Sequence, residues 1–276
     1  MRCGDAALRE TAPEGPAFRR GQWNAWGCAA IGCASFAIFV AVQTVLVVVI
    51  FFAAHPQYAH DVAQGALPPQ LYADLRKASL LPSLLTPTHL AVFSVAGDGA
   101  LVGATLLLAY VGLGANLRTL GLVPKASAAQ LGQGLLAGIA LTLMADGLGW
   151  AQSKIFGPHP QLLEKIFAAR HGFESFGLDL LSVALIAPFA EELFFRGFLF
   201  AGLVQRMPLL WAAILSGALF GLAHGDLWNF LPLAGVGVAL ALLYHRMHTL
   251  WPNVLAHGVF NAVSLTLTYL FPQLIK

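Results

Sequence analysis

Long apolar runs separated by short polar interruptions organise the chain: Gly27 to Ala54, Leu90 to Leu113, Leu131 to Trp150, Leu178 to Leu203, Leu209 to Ala223, Phe230 to Tyr244 and Val254 to Leu270. A helix crosses hydrocarbon with about 20 apolar residues, and several runs lie near or below that length. The pattern therefore predicts an all-α polytopic transmembrane bundle of about seven spans, within a range of six to eight. Pro188 sits inside the fourth run, where a kink or a split is expected. The longest interruption, His55 to Thr88, contains Pro56, Pro68, Pro69, Pro82 and Pro87, which argue against a continuous helix and leave room for short interfacial ones. Glycines recur at a spacing of four in Gly99/Gly103, Gly134/Gly138, Gly217/Gly221 and Gly221/Gly225, the pattern of closely packed membrane helices.

The segment before the first run, residues 1–26, is polar and contains Pro13, Pro16, Arg2, Arg9, Arg19 and Arg20; it reads as a disordered tail. Residues 27–276 are left as a single helical membrane domain. The first run is much longer than a signal-peptide core and no small-residue cleavage site closes it, so it is expected to stay as an anchor. The four arginines on its N-terminal side place the N-terminus in the cytoplasm. Beyond the first helix, lysine and arginine do not favour one side.

Composition excludes a soluble domain, because 10% charged residues beside 58% hydrophobic ones is far below the roughly 25% charge of globular chains. The net charge of +2, with no glycine-rich phosphate loop and no basic-aromatic patch, gives no nucleic-acid partner. Cys3, Cys28 and Cys33 have no paired metal-ligand spacing and no disulfide framework.

Against this background the fourth run is unusual, since Glu191, Glu192 and Arg196 lie inside it. A charge near mid-bilayer costs roughly 2.5–3.5 kcal/mol on insertion scales, so ionisable groups there mark a candidate functional site. Glu192 and Arg196 are four apart and can pair on one helix face. Glu191 is about 100° away around the helix and is the free carboxylate. His224 ends the fifth run, and His257 with Asn261 forms a second pair at a spacing of four in the last. Carboxylate and imidazole can take a proton from water, while imidazole and carboxamide N–H groups can donate to an oxyanion. These are the components of amide hydrolysis; a buried structural ion cluster or a wet vestibule is the alternative use of the same residues.

The Glu-Glu-x-x-x-Arg box (Glu191, Glu192, Arg196), the Phe-x-x-x-His box (Phe220, His224) and the His-x-x-x-Asn box (His257, Asn261) resemble those of the CPBP intramembrane proteases, which include the type II CAAX prenyl endopeptidases and bacteriocin-processing or immunity proteins. The resemblance covers about Leu180 to Leu270, within a catalytic core of 178–270. It implies that Glu191 and His224 hold and deprotonate a water, that His257 and Asn261 stabilise the oxyanion, and that Glu192 and Arg196 orient the helix. It further implies an integral protein of the bacterial cytoplasmic membrane, surrounded by lipid, whose substrates are peptides or membrane proteins, prenylated ones among the options. Many relatives have an eighth helix, whereas this chain ends at Lys276 after the seventh run. The family is often classed as metalloprotease, but no His-Glu-x-x-His motif occurs; zinc stays open, with metal-free water activation preferred.

Other polar residues suit rival chemistries less well. Asp98 follows Val95-Ala96-Gly97 rather than the Gly-x-Gly of intramembrane aspartyl proteases, and Asp146 lacks the matching flanks. Ser216 precedes Gly217, but Ile214 stands where a rhomboid-type serine motif needs glycine. A transport or binding scaffold would also use buried carboxylates and histidines. No second copy of the Glu-Glu-x-x-x-Arg segment occurs in the first half, which disfavours a two-repeat transporter.

Overall fold

The computed structural model describes residues 23–65, 70–71, 73, 85–123 and 125–275. A helix covers each of the seven apolar runs: α1 (Ala25–Ala54), α3 (Pro87–Leu113), α4 (Ala128–Phe156), α6 (residues 173–204), α7 (Leu209–Ala223), α8 (Phe230–Met247) and α9 (Trp251–Leu270). Short helices α2 (Pro56–Ala63) and α5 (Leu162–Ala168) lie between them. Among the described residues α1, α3, α4 and α8 are long and apolar enough to cross a membrane by length and composition, and α7 is a shorter apolar helix. The expected tail lies largely outside the described residues, as does most of the 55–88 segment beyond α2. The helix begins earlier than expected, at Ala25, because the Asn24 side chain caps it by accepting from Gly27 N–H.

Helix α6 is the hub, touching α1, α3, α7, α8 and α9. Pro188 does not split it. The chain remains helical on both sides, but residues 182–186 and 193–200 widen into π-turns. Ala187 N–H accordingly bonds to Ser182 O, five residues back. Continued in that register, residue 188 would donate to Val183 O, and proline has no N–H to give. A bare carbonyl in a membrane bundle is costly, so the orphan needs a partner from another helix.

The glycine pattern resolves into three roles. Added Cβ atoms at Gly134 and Gly138 would lie 2.5 and 2.6 Å from the Pro252 and Ala256 carbonyls of α9, and one at Gly237 would lie 2.6 Å from Gly217 Cα across the α7/α8 seam. Those are close helix contacts as expected. Gly99 and Gly103 are not: both are exposed with open space beside them, because α3 turns Ser94, Gly97, Asp98, Leu101 and Thr105 inward instead. Gly225 ends α7 with a φ of 67°, a left-handed conformation that suits glycine.

Candidate active site

The Glu192 side chain is fully buried and accepts three hydrogen bonds. Oε1 takes Arg196 Nη1 at 2.7 Å and His257 Nδ1 at 2.9 Å, and Oε2 takes Asn253 Nδ2 at 3.3 Å. Arg196, also fully buried, sends Nη2 to Gly237 O of α8 at 3.1 Å and lays its guanidinium over the Phe220 ring at 4.5 Å. The i, i+4 spacing thus forms the ion pair expected of it, and the pair is extended by groups from α8 and α9. Neutralisation by a hydrogen-bonded counter-charge is what makes a fully buried carboxylate tolerable.

An ionised carboxylate can only accept, so His257 Nδ1 carries a proton and the ring is fixed with Nε2 on its far side. That atom faces Glu191, whose Oε2 lies 3.7 Å away. This is ion-pair range without hydrogen-bond contact, and Glu191 Oε2 is a buried atom with no hydrogen-bond partner among the described residues. The two adjacent glutamates therefore differ as their 100° offset predicts: Glu192 is saturated with donors, and Glu191, about a quarter exposed, keeps a free oxygen.

His224 stands at the end of α7, exposed, with Nδ1 2.8 Å from Phe220 O. A carbonyl only accepts, so the proton is on Nδ1 and Nε2 is the free lone pair. The Phe220 ring is the wedge of the site. Its centroid is 4.7 Å from the His224 ring and 5.6 Å from the His257 ring, and the guanidinium covers it. The three boxes, on α6, α7 and α9, thus meet around one phenylalanine.

Asn261 is drawn elsewhere. Its Nδ2 donates to Val183 O at 2.6 Å, the carbonyl left without a donor by Pro188. An amide nitrogen carries two hydrogens, so one N–H remains. Asn253, which binds Glu192, was not among the expected residues. The signal was present, since it continues the Asn261, His257 series back by four, one residue before the last apolar run.

Beside the cluster an apolar cavity of about 580 Å³ opens between α1, α6 and α7. Cys28, Gly32 and Phe36 of α1, Phe194 and Phe195 of α6, Arg206, and Ala223, next to His224, line it. Among the described residues no group of three or more His, Cys, Asp or Glu side chains is arranged to hold a metal ion.

Comparison with known proteins covers the same part of the chain. Residues 173–263 match the family model described as type II CAAX prenyl endopeptidase Rce1-like, a stretch that runs from the start of α6 into α9 and contains every box residue. A Bacillus subtilis (strain 168) relative, provisionally named membrane peptidase YdiL, is 27% identical over 127 residues, covering 46% of this chain and 52% of the relative. The chain thus spans about half the length of the curated relative it matches. No solved structure matches it. The apolar helices and the family together make this an integral membrane protein.

Proposed function

We propose that this chain, similar through residues 173–263 to the type II CAAX prenyl endopeptidase Rce1-like family, is a CPBP-type intramembrane endopeptidase that hydrolyses peptide bonds with a water held by Glu191 and His224. The observation that carries this reading is the unpartnered, buried Glu191 Oε2, 3.7 Å from His257 Nε2 and beside a Glu192 already saturated with donors. A base must be free to accept a proton, and Glu191 is the carboxylate that is free.

In the proposed step, water loses a proton to the Glu191/His224 pair as its oxygen attacks the scissile carbonyl carbon. The carbonyl oxygen gains the negative charge. His257 Nε2–H and the second N–H of Asn261 receive it, which is the preorganised stabilisation that acyl transfer needs. His257 already gives Nδ1–H to Glu192, so this role requires its second ring proton, on Nε2. The C–N bond then breaks and the proton passes to the departing amine. Glu192 and Arg196 keep the cluster neutral and the helix oriented.

The apolar cavity supports substrates with a greasy portion, such as prenylated C-termini, leader peptides or membrane segments, lying in the hollow while the peptide approaches His224. Its volume is within the range of small-molecule sites. A zinc ion fits the donor set poorly, because Glu192 is occupied by three N–H donors and His257 Nδ1 is bonded to it; the mechanism therefore uses no metal. Stoichiometric zinc in purified protein, lost together with activity on chelation and restored on refilling, would reverse that preference. The cytoplasmic N-terminus and bacterial cytoplasmic membrane belong to the same proposal, and are tested by accessibility of an N-terminal tag in intact cells.

The decisive experiment compares membrane-peptide cleavage by wild type, Glu191→Gln, His224→Ala and Asn261→Ala. Glu191→Gln keeps shape and removes basicity, with an expected loss of about 10²–10⁴-fold. Undiminished turnover in Glu191→Gln and His224→Ala sinks the mechanism and leaves a binding scaffold or transporter.

A further inference from the structure

Asn253, His257 and Asn261 follow one another at intervals of four along α9, so they form a single polar row on one face. The first member is fully buried in the opening turn, just after Pro252. The N–H donors of a carboxamide there must be satisfied by neighbours, since neither water nor lipid can do it; its Oδ1 has no hydrogen-bond partner among the described residues.

Both hydrogens of Asn253 Nδ2 are engaged, one with Leu240 O of α8 at 2.7 Å and one with Glu192 Oε2 at 3.3 Å. The amide plane is thereby fixed between two acceptors on two different helices. Arg196 is anchored in parallel, through Gly237 O one turn earlier on α8. Two donors thus grip the Glu192 carboxylate from opposite oxygens, and α8 backbone carbonyls hold each donor in place. The terminal torsion of a glutamate is broad and soft. Gripped at Oε1 alone, the carboxylate could swivel and carry Oε1 away from His257; the bond to Oε2 stops it.

We propose that Asn253 is a positioning residue that acts through Glu192 on His257. It keeps Nδ1–H of His257 aimed at Glu192 Oε1 and so leaves Nε2 as the ring atom presented to Glu191 and the reaction site. The kinetic consequence rests on the peptidase reading above; the effect on the imidazole does not.

Asn253→Leu tests this, because leucine nearly matches asparagine in shape and removes both N–H donors. Histidine labelled with ¹⁵N in full-length protein in lipid nanodiscs reports which ring nitrogen is protonated, and His257→Gln identifies the His257 signals. Wild type is expected to show Nδ1 protonated and hydrogen-bonded, and Asn253→Leu a second population in which that Nδ1–H bond is lost. In the cleavage assay kcat falls about tenfold with KM unchanged, the scale of losing one hydrogen bond to a charged group. Asn253→Ala makes the same prediction with less volume, should leucine not be accommodated. Unchanged His257 signals in a folded variant overturn the proposal, as does a rise in KM with kcat retained. If wild type cleaves nothing, the peptidase reading fails, and the labelled-histidine comparison still decides the role of Asn253.

Discussion

The α7/α8 seam and the α6/α9 seam hold helices together by different means. Between α7 and α8 the contact is backbone on backbone: Gly217 meets Gly237, and Gly221 sits against the Phe230 carbonyl. Between α6 and α9 one glycine contact, Gly258 against the Ala184 carbonyl, is joined by directional bonds: Glu192 with Asn253 and His257, Glu191 facing His257, and Asn261 on the Val183 carbonyl. Absent side chains set a distance and tolerate sliding or rotation. Directional bonds set rotation and register as well, and proposed chemistry at Glu191 and His257 depends on those. The glycine seam places α7, and with it His224 and Phe220, within reach; the polar seam aims the groups that would react.

The largest expected effect comes from breaking the polar seam at its charge. Arg196→Met leaves Glu192 buried without a counter-charge, and removing one partner of a buried pair costs about 3–5 kcal/mol. Thermal unfolding in a membrane mimetic measures the loss. Glu192→Gln combined with Arg196→Met removes both charges and should recover a substantial part of it. Equal instability of the single and double variants would mean that the arginine contributes packing on Phe220 rather than charge balance.

The legibility of the two seams differs in the same way. Apolar runs announced the helices because lipid demands them, and a spacing of four announced the Glu192/Arg196 pair because helical geometry is local. Three features depended on neighbours that periodicity cannot specify. Gly99 and Gly103 matched the small-residue pattern, but the rotation of α3 points them outward. Pro188 suggested a break, whereas π-turns and a carboxamide from α9 absorb its missing N–H. Asn253 drew no expectation, because its partners, the carbonyl of Leu240 and the carboxylate of Glu192, come from two other helices. The boxes named seven residues by their order along the chain, and only the tertiary arrangement reveals that Glu192 binds His257 directly while Asn261 serves a backbone carbonyl.

A smaller effect sharpens the glycine side of the comparison. Gly237→Ala puts a methyl 2.6 Å from Gly217 Cα, and overpacking of this kind costs about 1–3 kcal/mol. Gly99→Ala, at a position with open space, should be neutral or stabilising by up to about 1 kcal/mol, since alanine is the better helix former. Thermal unfolding of the two variants side by side separates contact glycines from patterned ones. A loss at neither position would mean that helix propensity, not the seam, governs the response.

The smallest expected effect probes whether Asn261 repairs the helix it touches. Its N–H is the donor for Val183 O at 2.6 Å, so Asn261→Ala should cost about 1 kcal/mol, the net value of a hydrogen bond. Pro188→Ala restores an N–H at the residue that would donate to Val183 O in the local π register. In that background the loss on removing Asn261 should shrink, giving a coupling energy outside the roughly 0.3–0.5 kcal/mol scatter of independent sites. Strict additivity would show that the two residues do not share the carbonyl. The same cycle separates fold from proposed chemistry. If Asn261 also donates to the oxyanion, Pro188→Ala can rescue the stability of Asn261→Ala but not its turnover, because a backbone N–H on α6 mends Val183 and supplies nothing to the substrate.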